Sequence, residues 1–366
     1  MSISKEELRS IYFYLTNDCN LRCKHCWVAA GQNKEKGKEI SSDEIKGIID
    51  QAIPLGLKTI KLTGGEPLLR KDLQEILEYA STRNLSIIIE TNATLLKPEL
   101  AALLNEIKVT VSVSLDSHDP EEHDYFRGVQ GSFALAIEGI KNLLKHDIPI
   151  ELITCVHKSN YQKVDEIIKL GLSLGIKMFK FNQISLLGRA KTHLSKNELL
   201  TFDELIALNK YIDEELPSRY KAHIAMDMPL AFKSLQAIKN RRFFGCGIKN
   251  MLGILPNGDV SFCGIGTTIK ELQSDNVRHK TIQSIWDNNP ILQEIRRVVP
   301  RELEGVCSIC IFKNYCQGRC RAVAFSHFGS LSAPVPICSY AYERGFFPKT
   351  RLIEKGRISS LQPRPR

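Results

Sequence analysis

Residues 18–31, DCNLRCKHCWVAAG, carry three cysteines, Cys19, Cys23 and Cys26, in the spacing C-x3-C-x2-C. A structural zinc site takes four ligands, so three clustered thiols do not close one. Disulfide frameworks belong to short secreted chains, whereas this chain has 366 residues. Polar residues interleave with the thiols, which argues against a buried core strand. An iron–sulfur cluster held by three thiolates fits best, and it leaves one iron without a protein ligand.

The cysteine stretch belongs to a series of strand-like and helix-like segments that alternate over the first 185 residues. Ser41 and Glu44 form a capping box before one predicted helix, and Pro98 begins another. Apolar strands joined by helices predict an α/β fold with a parallel sheet and chemistry at the carboxyl ends of its strands. The predicted strands are 11–15, 59–64, 85–91, 108–116, 149–156 and 176–184.

The composition is that of a globular protein, with 43% hydrophobic and 25% charged residues. The chain opens with MSISKEELRS, which has no apolar signal segment, and no run of about 18 apolar residues occurs. These features predict a cytoplasmic protein without a membrane partner. The net charge of +9 is scattered, apart from the basic end KTRLIEKGRISSLQPRPR, and no basic stripe is interleaved with aromatic residues. We therefore expect no nucleic acid as a partner.

Two motifs together carry a resemblance to a known family. The C-x3-C-x2-C motif follows the first predicted strand, and GGEP, residues 64–67, follows the second. This combination resembles the radical S-adenosylmethionine (SAM) superfamily. The resemblance implies a partial (β/α)6 barrel that holds a [4Fe-4S] cluster on Cys19, Cys23 and Cys26. SAM would chelate the fourth iron, and reductive cleavage of a C–S bond would yield a 5′-deoxyadenosyl radical.

The same resemblance implies residues that contact SAM. His25 stands where the family places a residue near the adenine, and a solvated loop histidine is the alternative. Gly64 and Gly65 would bring backbone close to the SAM amino group, and Glu66 would accept a hydrogen bond from it. For four softer candidates the alternative is an ordinary cap or salt bridge; they are Asn92, Ser114, Arg127 and Arg189. No residue is assigned as a catalytic acid or base.

Seven further cysteines lie between residues 246 and 338. A C-x2-C pair alone would also fit a zinc ribbon, but the whole order resembles the SPASM extension of radical SAM enzymes, which carries two auxiliary [4Fe-4S] clusters. By position, one cluster takes Cys307, Cys310, Cys316 and Cys338, and the other takes Cys246, Cys263 and Cys320. Relatives supply an eighth cysteine that this chain lacks. The fourth position is therefore open or filled by water, a substrate atom or another side chain, and an open iron could bind a substrate thiolate.

These observations predict four segments. Residues 1–190 form the radical SAM core, 191–240 a helical connector, 241–345 the SPASM auxiliary-cluster domain, and 346–366 a basic C-terminal tail. Cys155 lies in an apolar strand and is predicted to be a core thiol. Because the first motif begins at Cys19, we expect no leader-peptide-binding domain before it.

The resemblance implies an enzyme with a peptide or protein substrate and a reductant such as flavodoxin or ferredoxin. The first hypothesis is an enzyme that installs a crosslink, a thioether, on a ribosomally made peptide. Gly264 stands where sulfatase-maturating relatives have an acidic residue, so that activity is disfavoured. The second hypothesis is an enzyme that modifies tetrapyrrole side chains. The third is a non-catalytic iron–sulfur electron-transfer protein, which would have no need of a GGEP segment.

Overall fold

The computed structural model describes residues 6–31 and 38–353. Within these residues ten strands form one sheet in the order β10-β9-β8-β1-β2-β3-β4-β5-β6-β7. The strands are β1 Ser10–Tyr14, β2 Thr59–Thr63, β3 Ser86–Thr91, β4 Thr110–Ser114, β5 Ile150–Val156, β6 Met178–Gln183, β7 His223–Met226, β8 Met251–Ile254, β9 Asp259–Ser261 and β10 Gln273–Asn276.

Strands β1 to β7 are parallel and pair in chain order. Burial alternates along them: the seven residues of β5, for example, are buried and half-buried in turn. The buried set packs against helices in the main apolar core, and the half-buried set faces the other side of the sheet. This is the α/β partial barrel that the sequence predicts, because each strand hides one apolar face under helices and turns the other inward.

Helices connect the strands and begin where the sequence signals place them. Ser41 and Glu44 make the reciprocal bonds of a capping box at the start of α1, and Pro98 is the first residue of α3. The helices are α1 Ser42–Ala52, α2 Leu73–Ser81, α3 Pro98–Glu106, α4 Pro120–Arg127, α5 Ser132–Leu144, α6 Val164–Leu174, α7 Ala190–His193, α8 Phe202–Glu214, α9 Leu216–Arg219, α10 Leu235–Lys239, α11 Ile282–Asn288, α12 Pro290–Val298, α13 Lys313–Cys316, α14 Arg321–Phe328 and α15 Pro336–Glu343.

The segment 191–240, predicted as a helical connector, also contributes a strand. It contains α8, but its β7 pairs with β6 as a seventh parallel strand. On the other edge, β8 pairs in parallel with β1, and β9 and β10 follow it antiparallel. The C-terminal part therefore extends the barrel sheet instead of standing apart from it. Of the predicted basic tail, residues 354–366 lie outside the described residues.

Two apolar clusters stabilise the described chain. The larger one lies between the sheet and its helices, and the smaller one holds eight buried residues, seven of the C-terminal part together with Ala231. Among the helices of the described residues, none has both the length and the apolar character needed to cross a bilayer.

Candidate active site

Arg189 holds the cysteine loop, which we define as residues 16–31. This arginine follows β6 and is buried, with 3% of its surface exposed. Its guanidinium Nη1 donates to the Cys23 carbonyl at 2.9 Å, and Nη2 donates to the Ala30 carbonyl. Its backbone N–H donates to the Cys26 carbonyl at 2.9 Å. The guanidinium is therefore engaged with the backbone of the loop that follows the first strand.

The three thiols of the cysteine loop lie together. Cys23 is buried, and Cys19 and Cys26 are half-buried. Burial raises the pKa of Cys19 to about 12, and the neighbouring thiols of Cys23 and Cys26 add to this rise. Burial also raises the pKa of Cys23, while the Arg127 guanidinium, 3.8 Å from Sγ, opposes the shift. Such thiols stay protonated by themselves and lose the proton to a metal, so this donor set fits an iron–sulfur cluster.

The GGEP segment packs directly on the cysteine loop. The Gly65 N–H donates to the Thr16 carbonyl and the Glu66 N–H to the Asp18 carbonyl, each at 2.8 Å. A Cβ at Gly65 would stand 1.9 Å from the Asp18 carbonyl oxygen. A Cβ at Gly64, where φ is +124°, would stand 2.8 Å from the Thr16 carbonyl oxygen. The close approach of the two loops therefore requires both glycines, independently of any ligand.

Glu66 is buried, and protein donors surround its carboxylate. Oε1 accepts from the Thr91 hydroxyl at 2.6 Å and from the Leu68 N–H at 3.1 Å, and Oε2 accepts from the Asn92 N–H at 2.9 Å. Burial raises the pKa of Glu66, and these donors oppose the rise. The Asn92 side chain donates to Asn20 in the cysteine loop at 3.0 Å. Glu66 and Asn92 thus tie the ends of β2 and β3 to the loop.

His25 lies in a stack of aromatic rings and not in solvent. Its imidazole is nearly parallel to the Phe126 ring at 4.5 Å between centroids, and Phe126 stacks on His157 at 4.0 Å. Burial lowers the pKa of His25 to about 3, so the ring is neutral at pH 7. The alternative of a solvated loop histidine is excluded. The stack offers a flat, uncharged surface beside the three thiols.

Asp116 organises the charges beside this stack. Its Oδ2 lies 2.7 Å from Nε of Arg127, and its Oδ1 accepts from the Cys155 N–H at 2.9 Å. Burial alone would raise the pKa of Asp116, but the guanidinium overrides it and holds the pKa at about 2. Arg127 is therefore paired with Asp116 and with the Cys23 sulfur. Ser114 is half-buried at the end of β4, two residues before Asp116.

Cys155 departs from its prediction as a core thiol. It is half-buried on the inward-facing side of β5, and it is not one of the residues of the two apolar clusters. Its sulfur and ligand atoms of His25 and Asp116 lie within 4.8 Å of one another. The prediction was wrong because Cys155 shares its side of β5 with the apolar Ile153 as well as with Glu151, so the strand sequence alone does not decide whether that side is packed or faces the site.

The inner side of the barrel carries a tyrosine and four charged side chains at half-buried positions. Their neighbours along each strand are buried in the outer core. We call the space they face the chamber, and its residues are Tyr12, Lys61, Glu90, Glu151 and Lys180. Lys61 donates to Glu90 at 2.7 Å. The Glu90 side chain keeps 31% of its surface exposed although β3 lies in the middle of the barrel sheet. This exposure indicates that the inner face borders a cavity.

The C-terminal part closes one side of the chamber. The ring of Phe244 lies 4.4 Å from Nζ of Lys180. Arg319 donates to the Phe244 carbonyl and pairs with Asp227, which follows β7. Burial lowers the pKa of Lys180, and Glu151 opposes that shift. Barrel strands and a loop of the C-terminal part thus enclose the chamber together.

The seven cysteines of the C-terminal part lie in two groups. In both, burial is the main cause of a raised pKa, and neighbouring thiols raise it further; the pKa of Cys246 reaches about 11. A cavity surrounded by four thiols, and a separate set of three, fit two iron–sulfur sites. The four-cysteine group, Cys307, Cys310, Cys316 and Cys338, lines one cavity. The three-cysteine group is Cys246, Cys263 and Cys320.

The three-cysteine group approaches the cysteine loop at Gly264, which follows Cys263. A Cβ at Gly264 would stand 1.1 Å from the Tyr14 hydroxyl oxygen and 2.8 Å from Cη2 of Trp27. The rings of Tyr14 and Trp27 meet edge to face at 5.8 Å. Because Trp27 follows Cys26, an aromatic contact joins the two cysteine sites. Gly264 leaves no room for a larger side chain at this position unless Tyr14 moves.

Comparison with known proteins decides the identity. The family model described as Radical SAM superfamily matches residues 13–171, and SPASM, described as an iron-sulfur cluster-binding domain, matches residues 246–311. An AdoMet-dependent heme synthase of Methanosarcina barkeri is 30% identical over 346 residues, which cover 91% of this chain and 96% of the relative. The chain belongs to the radical SAM superfamily. Its C-terminal part is a SPASM domain, so iron–sulfur clusters and SAM belong to its chemistry.

Two further similarities show the range of this radical SAM relationship. The antilisterial bacteriocin subtilosin biosynthesis protein AlbA of Bacillus subtilis is 28% identical, over 84% of this chain and 66% of the relative. The crystal structure of Streptococcus suis SuiB bound to its precursor peptide SuiA superimposes with a TM-score of 0.73 at 20% identity, over 91% of this chain and 76% of SuiB. The latter likeness shows a shared fold. The radical SAM relatives include synthases and maturases, so this chain is an enzyme and the hypothesis of a non-catalytic electron carrier is wrong.

Among the expected SAM contacts of this radical SAM enzyme, several side chains are engaged with protein. Glu66, Arg127 and Arg189 bind backbone groups, a carboxylate or a thiol. The His25 side chain keeps 11% of its surface exposed, and Ser114 is half-buried. That these residues contact SAM stays a prediction. In that prediction, the residues already bonded to protein groups act by positioning the cysteine loop.

Sequence reasoning missed the chamber and the aromatic junction. The signal for the chamber was in the strands, because Lys61, Glu90 and Lys180 interrupt runs that are otherwise apolar. A charge inside a buried strand has to face a cavity or a partner. The contact of Tyr14 with Gly264 had no comparable signal, since 250 residues separate the two positions.

Proposed function

We propose that this radical SAM enzyme modifies a peptide and that the modification is a thioether crosslink in a ribosomally made peptide. It holds three [4Fe-4S] clusters in this proposal, one on the cysteine loop and one on each of the two C-terminal cysteine groups. The substrate is a peptide or protein segment, and a flavodoxin or ferredoxin supplies the electron. The tetrapyrrole hypothesis is the second candidate.

The charge balance of the chamber carries the proposal. Lys61 and Glu90 neutralise each other at 2.7 Å, and Glu151 and Lys180 add one charge of each sign. A peptide backbone offers both donors and acceptors and carries no net charge, so it matches such a lining. A tetrapyrrole with several carboxylates carries a large negative charge, and the balanced lining offers no net positive charge to offset it.

The chain's own residues orient the reactants and exclude water. When bound to the cysteine loop, the cluster supplies the electron that cleaves SAM. Arg189 and the GGEP segment fix the loop, and the stack of His25 on Phe126 offers a flat surface for a planar base. Lys180 and Glu151 can bind a substrate carbonyl and N–H. Closure by Phe244 shields the chamber from solvent, which protects a radical from side reactions.

The three-cysteine group supports a cysteine-containing substrate. Tyr12, whose side chain faces the chamber, pairs with Gly253 of β8, and a Cβ at Gly253 would stand 3.0 Å from the carbonyl carbon of Cys263. The group therefore borders the chamber, and its predicted ligand set lacks a fourth cysteine. A peptide thiol in the chamber would lie beside this position. Similarity to AlbA, a bacteriocin biosynthesis protein, gives independent support for a peptide substrate.

One observation favours the tetrapyrrole candidate. AdoMet-dependent heme synthases are 30% and 31% identical to this chain over 91% of its length, slightly above AlbA at 28%. Such identities support shared chemistry but leave open the substrate, because substrate choice depends on a few lining residues. The chamber charges therefore become the discriminating feature.

The experiment compares both substrates on one enzyme preparation. Anaerobically reconstituted protein receives SAM, a strong reductant, and either cysteine-containing peptides encoded beside its gene or Fe-coproporphyrin III. We expect a peptide product two mass units lighter, formed with 5′-deoxyadenosine, and no change in the porphyrin. Porphyrin decarboxylation without peptide modification would overturn the proposal.

A matched variant sharpens this comparison. Glu151→Gln keeps the side-chain shape and removes one negative charge from the chamber. It should lower peptide turnover about tenfold, because one charge-assisted hydrogen bond to the substrate is lost. If it instead creates or raises porphyrin turnover, the tetrapyrrole reading is correct.

A further inference from the structure

The C-terminal face beside the four-cysteine group is both apolar and basic. Tyr315 and Ile311 stand exposed on it, at 79% and 45% of their surfaces. Within residues 305–353 the one carboxylate is that of Glu343, and four cations keep part of their surface exposed; they are Lys313, Arg344, Lys349 and Arg351. The side chains of Arg319 and Arg321 are largely buried and do not belong to this face. An exposed aromatic ring with surrounding cations is typical of a docking surface for an acidic protein.

This face lies directly over the four-cysteine group. Ile311, Lys313 and Tyr315 belong to the segment between Cys310 and Cys316. Lys313 lines the cavity of the four thiols. The segment 349–353 joins the face, because the Ile311 N–H donates to the Arg351 carbonyl at 2.9 Å. We define the carrier face as Ile311, Lys313, Tyr315, Lys349 and Arg351.

From the four-cysteine group a continuous set of contacts leads inward. Cys316 and Cys320, one from each C-terminal cysteine group, belong to a single turn, in which the Arg319 N–H donates to the Cys316 carbonyl at 3.0 Å. The three-cysteine group then reaches Gly264, which touches Trp27 beside Cys26. The two C-terminal cysteine groups therefore stand in series between the carrier face and the cysteine loop.

We propose that the carrier face docks a small acidic one-electron carrier protein and that its electron enters the enzyme at the four-cysteine group. The carrier is oxidised by one electron and the enzyme is reduced by one; no bond forms or breaks, and no proton moves. The inference rests on the cluster content of the proposed function but not on its substrate. Charge complementarity selects this occupant, since an acidic surface matches the cations of the face.

The test uses the full reconstituted chain, without peptide, and a reduced acidic ferredoxin as the probe. Tyr315→Ser combined with Lys349→Glu removes the most exposed ring and reverses one charge. We expect the ferredoxin Kd to rise about tenfold at low salt, or about 1.4 kcal/mol. Cluster reduction by ferredoxin, followed by loss of visible absorbance, should slow by a similar factor. Reduction by dithionite, which needs no docking, should keep its rate.

A matched control lies on α5, far along the chain from this face. Leu135→Ser with Lys145→Glu removes an exposed apolar side chain and changes the charge equally. This variant should bind ferredoxin like the wild type. An equal loss of ferredoxin affinity in both double variants would show that only net charge matters and would overturn the proposal. An unchanged rate of cluster reduction by ferredoxin in the carrier-face variant would overturn it as well. Analytical sedimentation tests a third outcome, in which the face joins two copies of this chain. A wild-type dimer that becomes monomeric only in the carrier-face variant, and that ferredoxin does not disrupt, would overturn the proposal in favour of that contact.

Because no peptide is present, failure of the thioether proposal leaves this test intact. A variant with Cys307 and Cys310 replaced by Ala adds a second readout. Ferredoxin should no longer reduce the remaining centres in it, whereas dithionite should. Fast reduction by ferredoxin in that variant would show direct entry at the cysteine loop and overturn the route.

Discussion

The cysteine loop and the four-cysteine group use the same ligand chemistry in different structural settings. The loop is held by the protein itself, through Arg189, the GGEP segment and the end of α4. The four-cysteine group sits among short helices and a cluster of eight buried residues, two of which are Cys310 and Cys338. That small core contributes little by itself, although Cys307 of the same group also belongs to the main apolar core. From this comparison we expect a cluster on the loop to serve chemistry and a cluster on the four-cysteine group to stabilise the C-terminal part as well.

The largest effect we expect is on SAM cleavage by the cysteine loop. Wild-type protein should bind about 12 irons, and replacement of Cys19, Cys23 and Cys26 by Ala should leave about 8. The fold should persist, because protein hydrogen bonds hold the loop. Cys23→Ala should abolish release of 5′-deoxyadenosine. Retention of all irons in the triple variant would contradict the ligand assignment. Unfolding of that variant would show that the loop, too, depends on its cluster for structure.

The next effect concerns the four-cysteine group. Replacing Cys307 and Cys310 by Ala should destabilise the C-terminal part by about 3–4 kcal/mol, since a tightly bound group that favours the folded state is lost. Limited proteolysis should then cut residues 300–345 while the barrel stays resistant. An equal protease pattern in the triple variant of the cysteine loop would show that both sites are structural.

A smaller effect is expected from the arginine that holds the loop. Arg189→Ala leaves the Cys23 and Ala30 carbonyls without their donor, so the loop loses its position. SAM cleavage should fall about 10- to 100-fold with iron content retained, as for other residues that orient metal ligands. Arg189→Lys keeps one donor and should recover part of the rate. Full activity of the alanine variant would show that the other contacts suffice.

The smallest effect tests the junction between the two regions. Gly264→Ala places a Cβ against the Tyr14 hydroxyl and should cost about 1–3 kcal/mol of unfolding free energy. Adding Tyr14→Ala should restore part of this loss. Gly47→Ala in α1 is the matched control, because its Cβ would meet nothing within 4 Å, and it should stabilise by about 0.5–1 kcal/mol. Chemical denaturation measures all three; equal effects at Gly264 and Gly47 would argue against a tight junction.

Local patterns predicted those features that depend on neighbouring residues. The capping box of α1 and the start of α3 at Pro98 follow from contacts within one turn. The alternation of apolar strands and helices predicted the parallel order of β1 to β6, because short connections leave few topologies. The strand β7 was missed, since its four residues, HIAM, carry too short a signal inside a helical segment.

The sequence by itself determined the cysteine motifs, the GGEP segment and the α/β class, because spacing along a chain specifies ligand sets and periodicity specifies elements. Only the tertiary structure decided what these residues face. It turned Cys155 toward the site, engaged Glu66 and Arg189 with the backbone, and brought Gly264 against Tyr14. The physical reason is that curvature of the sheet selects the inner face of each strand, and burial then forces every polar group on that face to find a partner or a cavity.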